Sequence, residues 1–236
     1  SMNEYIYETH LHTSEGSACG ASKGEEYIEP YVKAGYDGIF VTDHFFGGNT
    51  AAPKDADWET RVNAYCLGYE NALKAANHHN QINGTNFKVF FGIEQTFNGD
   101  DYLIYGLDKE WLLSHPEAET MRHKEWFESV KKVGGLMIQA HPFRMRDYIN
   151  AIHLHPRDIH GIEIYNAGNK SEENVLAEMY AKTYNFPVTS GSDIHHYGAV
   201  VDEEKRKTLG GMIFETPLKD VFDYAERIKF NKGRIR

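Results

Sequence analysis

Short runs of β-branched, aromatic and aliphatic residues alternate with segments of helical period along nearly the whole chain, and this alternation restricts the fold more than any other feature. Tyr5 to His12 is the first run; Asp37 to Asp43 (DGIFVTD), Phe87 to Glu94 (FKVFFGIE) and Tyr102 to Leu107 (YLIYGL) follow. Leu136 to Ala140, Gly161 to Tyr165, Pro187 to Ser190 and Gly211 to Phe214 complete the series. Between them, Ser22 and Glu25 form a capping box, and Val62, Tyr65, Cys66, Tyr69, Ala72, Leu73 and Ala76 share one face of a long helix. Trp126, Phe127, Val130 and Val133 mark the buried face of a helix that ends at Gly134-Gly135, and another helix, capped by Ser171, carries Val175, Leu176, Met179 and Tyr180. Such a series predicts an α/β fold with a largely parallel sheet, near the length of a (β/α) barrel, with a doubly wound open sheet as the alternative. No repeat, low-complexity tract or linker interrupts it, so residues 1–236 read as a single domain. Phe45 to Asp57, rich in Gly, Pro and Ala, reads as a mobile loop over one end, with Phe45-Phe46 at a pocket mouth.

Composition narrows the function. The chain has 236 residues and is 41% hydrophobic, enough for a sizeable core. No stretch approaches the roughly 18 apolar residues of a membrane span, and no signal-peptide pattern opens the chain, which reads as cytoplasmic. Ser1-Met2 reads as a remnant ahead of the natural start. Cys19 and Cys66 are too few for a disulfide framework. A formal net charge of −10 argues against an extended nucleic-acid surface and leans toward a small-molecule substrate. Carboxylates that bind divalent cations also count as bare negative charge in such a tally.

Chemistry is concentrated where the strands end. His10 and His12, two residues apart on an extended run, point to the same face and can aim two imidazoles at one cation. Asp43-His44 closes the second run, Glu94 the third and His141 the fifth, while Asp193 and His195 follow the seventh. In a parallel α/β sheet or barrel, those ends converge on the active site. His78, His79, His115 and His123 lie on or near helices with no ligand-type neighbour, and His153, His155 and His160 fall on a helix-and-loop segment; all read as structural.

His10-x-His12-Thr13, Thr42-Asp43-His44, Gly92-Ile93-Glu94, His141-Pro142 and Gly191-Ser192-Asp193-x-His195 resemble, in order and over nearly the whole chain, the PHP (polymerase and histidinol phosphatase) superfamily. The resemblance implies a distorted (β/α)7, TIM-like barrel, two or three divalent metal ions at its mouth, and a hydrolase acting on phosphate esters. It implies that His10, His12, Glu94 and Asp193 bind one ion, that Glu94 bridges to a second held by His141, and that His44 and His195 serve a third or complete the cluster. Two positions depart from the family pattern. Where many members carry a further His or Asp after the first motif, this chain has Ser17 and Ala18, with Glu15 the nearby substitute. Where the following strand often starts with a histidine, it offers Asp101.

A mixed His and carboxylate set favours Zn, Mn or Fe over Mg. Two such ions can hold a bridging hydroxide and polarise a phosphoryl group, with no side-chain nucleophile. Asp43 and Asp193 are the candidates for orienting a ligand histidine or accepting its proton. Arg144, just after His141-Pro142-Phe143, is best placed to offer a phosphate a bidentate fork, ahead of Arg146 and Lys170. The expected substrate is a small phosphorylated metabolite or a nucleotide. An amidohydrolase-type hydrolase also opens with His-x-His, but the resemblance to that type includes a mid-barrel lysine where this chain has Glu94.

Overall fold

Two five-stranded sheets of mixed sense carry the chain, whose computed structural model describes residues 3–236 and so leaves Ser1-Met2 outside the described residues. In the first sheet β1 (Tyr5–Glu8) leads through the short helix α1 (Ile28–Lys33) to the parallel strand β2 (Gly38–Val41). From there α2 (Trp58–Tyr65) and α3 (Leu67–Asn83) lead to β3 (Lys88–Phe91), parallel to β2. One residue later the second sheet begins. Its strands β4 (Ile93–Phe97) and β5 (Asp100–Tyr105) form an antiparallel hairpin around Asn98-Gly99, both in the left-handed region with φ 56° and 85°. After α4 (Lys109–Ser114) and α5 (His123–Lys132), β6 (Leu136–Gln139) lies antiparallel to β5 and parallel to β7 (Gly161–Asn166). Helix α6 (Ser171–Thr183) leads to β8 (Val188–Gly191), parallel to β7. Two one-turn helices, α7 (Gly198–Val201) and α8 (Glu203–Arg206), return the chain to the first sheet. There β9 (Met212–Phe214) pairs antiparallel to β1, and beyond α9 (Val221–Lys229) the short β10 (Arg234–Ile235) pairs antiparallel to β9.

This topology corrects the expected (β/α)7, TIM-like closed barrel. Such a barrel needs parallel strands in an unbroken ring, whereas the β4–β5, β5–β6, β1–β9 and β9–β10 ladders are antiparallel. The ladder also breaks at Gly92, where the chain leaves one sheet and enters the other. Isolated bridges from Leu11 to Ile194 and from His44 to Glu94 join the two sheets where the ligand-type residues collect.

Other expectations shift in detail. The long helix is divided at Cys66, which is buried and free. The box near Ser22 forms one residue later, between Lys23 N and Glu26 Oε1 at 2.8 Å, and Ser22 Oγ instead accepts from Tyr197 N. On α6, Ala177, Tyr180 and Ala181 are buried while Val175, Leu176 and Met179 stay exposed. The small alanines let this helix close on β7, with which it makes its main packing contact. Phe45 does not line a mouth: it is fully buried, stacked on Phe46 at 3.9 Å and edge-on to Tyr65 and Trp126. Among the described residues no helix is long and apolar enough to cross a membrane.

Candidate metal centre

The residues just past β1 run extended, so His10 and His12 both face the seam between the sheets. His10 Nε2 lies 2.8 Å from Glu94 Oε1 and 3.3 Å from Asp193 Oδ1, and His12 Nε2 lies 3.0 Å from each of these oxygens. Farther out, His44 Nδ1 is 3.7 Å from Glu94 Oε1, and His141 Nε2 is 3.6 Å from Glu94 Oε2 and 3.5 Å from Asp101 Oδ2. The His12 ring stacks between those of His44 and His195, at 4.4 and 4.5 Å. Burial is graded: His10 and His12 are sealed, whereas the side chains of His44, His141 and Asp101 are 14%, 10% and 22% exposed. The cluster therefore opens to solvent on the side of its outer members.

These donors suit divalent cations. Ligand atoms from His10, His12, Glu94 and Asp193 lie within 4.8 Å of one another, as do those of His12, His44 and His195 and those of His44, Glu94 and Asp101. At the centre, Glu94 Oε2 and His44 Nδ1 are buried without a hydrogen-bond partner, a cost that a bound cation would offset. Electrostatics give the same picture. Burial opposes charge on His10 and His12, yet Asp193, Glu94 and, for His10, Glu163 outweigh it; His10 is raised well above its ordinary value and His12 is pushed up to about 9. Burial likewise opposes charge on Glu94 and Asp193, but the histidines hold both well below the carboxylate range. His44 is pushed down to about 4, chiefly by burial, and Asp101 up to about 6, by burial and then by Glu94.

A layer of polar groups orients the donors. Ser17 Oγ donates to Asp43 Oδ1 at 2.8 Å and accepts from His44 N and from His12 Nδ1, both at 2.9 Å. Asp43 also takes Thr13 N and Thr13 Oγ1, at 2.6 and 2.7 Å, so this buried carboxylate reaches His12 through Ser17 and not directly. Burial pushes Asp43 up to about 6 despite those bonds. His141 and Asp193 have left-handed backbones, φ 30° and 56°, a strained state that recurs at functional sites. Arg144 Nη2 lies 3.0 Å from Asp193 Oδ2 and donates to Asn166 Oδ1 at 2.9 Å, while Nε donates to Asn169 Oδ1 at 2.8 Å. The guanidinium is thereby tied to the edge of the cluster.

The structure gathers His10, His12, His44, Glu94, His141, Asp193 and His195 into one cluster, with Arg144 at its edge. Glu15 is placed elsewhere: its carboxylate accepts from Gly24 N at 3.0 Å and from Asn71 Nδ2 at 3.0 Å, capping the turn before α1. Asp101 is within reach of His141, and Ser17 supports ligands from behind. Arg146 is spent on Gly168 O and Glu173. His153 Nδ1 lies 2.7 Å from Asp100 Oδ2, anchoring its loop outside the cluster. Sequence inspection missed Glu163 and Asn166 on β7. Their available signal was an acidic residue inside an otherwise apolar strand, GIEIYN.

No family model matches the chain, and no curated protein matches its sequence. Solved structures do match. A two-domain protein from Bacteroides vulgatus containing a predicted PHP-like metal-dependent phosphoesterase aligns with all of this chain at 15% identity and a TM-score of 0.67. The chain spans 65% of that protein's length. PsfC from Pseudomonas syringae aligns over 99% of this chain and 90% of its own at 18% identity, with a TM-score of 0.59. An amidohydrolase from Chromobacterium violaceum, solved with bound sulfate and no metal, aligns over 94% of this chain and 96% of its own at 14% identity, with a TM-score of 0.51. The resemblance carried by the histidine motifs thus extends to the fold: the chain is similar in fold to a protein containing a predicted PHP-like metal-dependent phosphoesterase and to an amidohydrolase.

Proposed function

We propose that the chain is a metal-dependent phosphoesterase that hydrolyses a phosphate ester of a small metabolite or nucleotide. The observation that carries this reading is the cluster of His10, His12, Glu94 and Asp193, with Glu94 Oε2 orphaned inside it, His44 Nδ1 orphaned beside it and an arginine fixed at its edge. His10, His12, Glu94 and Asp193 would hold one divalent ion, and Glu94, Asp101, His141, His44 and His195 the one or two others. When bound, such ions act as Lewis acids on the phosphoryl group and activate water.

The chain's own residues supply the rest. Asn166, Asn169 and Asp193 hold the Arg144 guanidinium by Nε and Nη2, and its Nη1 makes no hydrogen bond among the described residues, which leaves that edge for a phosphate oxygen. Ser17 holds His12 by Nδ1 and keeps Nε2 turned toward Glu94 and Asp193. Asp43 anchors Ser17 without touching substrate. His195 Nδ1 donates to Asp193 O at 2.8 Å, which leaves the Nε2 lone pair free to bind a cation. Glu94 stands where the amidohydrolase alternative calls for lysine, and this favours phosphate chemistry. A phosphate-release screen over sugar phosphates, nucleotides and histidinol phosphate, with Mn2+, Zn2+ or Fe2+ supplied, tests the proposal. Metal-dependent release abolished by His10→Ala is expected; no release from any ester, with His10→Ala indistinguishable from wild type, refutes it.

A further inference from the structure

Glu163 is a fully buried carboxylate for which the proposed chemistry has no direct use. Its ion-pair partner among the described residues is His10, whose Nδ1 lies 2.8 Å from Oε2. The other oxygen, Oε1, accepts from His141 N at 3.1 Å and from Asn166 Nδ2 at 2.8 Å. That same Asn166 nitrogen reaches Asp193 Oδ2 at 3.3 Å, and Asn166 Oδ1 receives Arg144 Nη2. Both non-glycine residues of the cluster with left-handed backbones, His141 and Asp193, are thus held by Glu163 or by its neighbour.

From this geometry we infer that Glu163 is the positioning residue of the centre, fixing His10 with a proton on Nδ1 and Nε2 facing inward while pinning the strained His141 backbone by its N–H. The inference rests on the metal-dependent reading above. A neutral imidazole carries one proton, and a carboxylate at Nδ1 decides which nitrogen keeps it; it also makes the opposite nitrogen a better ligand. A carboxylate serving only as packing would not need three donors from three separate strand ends. Gly191 on β8 supplies an independent sign of constraint. A Cβ there would lie 2.6 Å from His10 Cβ and 2.9 Å from Glu163 Oε2, so the pair is closed in by a strand that has room only for glycine.

Glu163→Gln tests this in the full chain. The amide keeps the volume but has one acceptor oxygen, so it cannot serve His10 on one side and His141 with Asn166 on the other. Titration with Co2+ against a competing chelator is expected to show affinity about 10–100-fold weaker than wild type, with cooperative unfolding retained. An affinity within about twofold of wild type overturns the inference while leaving the metal reading intact. Nitrogen NMR of the Zn2+-loaded wild type checks it without any variant: His10 bound through Nε2 with Nδ1 protonated supports it, and the opposite arrangement refutes it. A wild type that takes up neither Co2+ nor Zn2+ removes the metal reading and this inference together.

Discussion

Ser17→Ala deletes one oxygen and tests how the centre is held. A hydroxyl has one proton to give and two lone pairs, and Ser17 uses all three: it donates to Asp43 and accepts from His12 Nδ1 and His44 N. Alanine leaves the His44 backbone N–H and the His12 ring N–H unpaired and removes one bond to a carboxylate. Ser17 is 1% exposed, and the gap left by a single oxygen is too small for water to repair the loss. Each orphaned buried group costs about 1–3 kcal/mol, so a total of about 3 kcal/mol is expected after partial relaxation. For a chain of this size that lowers the melting temperature by about 6–12 °C. Differential scanning calorimetry of the chelator-treated protein reads this directly, and the same sample titrated with Zn2+ should bind about 10–100-fold more weakly because His12 has lost its anchor. A drop below about 2 °C with unchanged Zn2+ affinity would show that the bond pattern around Ser17 carries no weight.

Three further outcomes follow from the same geometry. Arg144→Lys keeps the charge but not the fork held by Asn166 and Asn169, so kcat/KM should fall about 10–100-fold and inhibition by inorganic phosphate should weaken; equal kinetics would exclude a phosphate contact. His160 is pushed down to about 4 by burial and then by Lys229 and Lys131, and its Nδ1 must stay unprotonated to accept from Met137 N at 2.9 Å. Its folded value lies below the ordinary 6.5, so its contribution is complete above pH 6.5 and is lost as pH falls toward 4. Urea midpoints at pH 7 and pH 4.5 should therefore show wild type losing about 2 kcal/mol more than His160→Asn, and parallel losses would contradict the assignment. Gly191→Ala places a methyl group against His10 and Glu163 and should cost about 1–3 kcal/mol together with metal content measured by mass spectrometry; full metal content and an unchanged midpoint would show that β8 can yield.

The cluster was legible because its donors follow short apolar runs, and parallel strands bring such ends together wherever the helices between them pack. Strand sense was harder. Periodicity reports which face is buried, not the direction of the neighbour, so Phe87 to Glu94 reads as one strand, and Tyr102 to Leu107 and Leu136 to Ala140 as further parallel ones, although Asn98-Gly99 is a hairpin signal. Helical spacing alone also leaves the packed side of α6 open: β7 accepts the side carrying Ala177, Tyr180 and Ala181, while Val175, Leu176 and Met179 stay exposed. Supporting residues left weaker traces. Ser17 resembles any small loop residue, and only the folded chain shows three bonds meeting at its oxygen.

The departure from a closed barrel accounts for the carboxylates that no ligand set requires. Where two sheets part, strand ends lose ladder partners, and buried N–H groups must find other acceptors. Glu8 takes Thr9 N, His10 N and Ser192 N at 3.0, 3.2 and 2.9 Å, linking the ends of β1 and β8. Glu163 takes His141 N beyond β6, and Asp43 takes Thr13 N from the loop after β1. Side chains thus replace main-chain bonds along the seam, and a carboxylate can do so while its second oxygen faces a histidine or a hydroxyl, as Glu163 does toward His10 and Glu8 toward Tyr31. The ligands can then sit at strand ends free of sheet geometry, including the left-handed turns at His141 and Asp193 that a continuous ladder would not permit. The irregular seam and the ordered centre are therefore one construction, in which acidic residues brace the backbone on one side and orient metal-binding donors on the other.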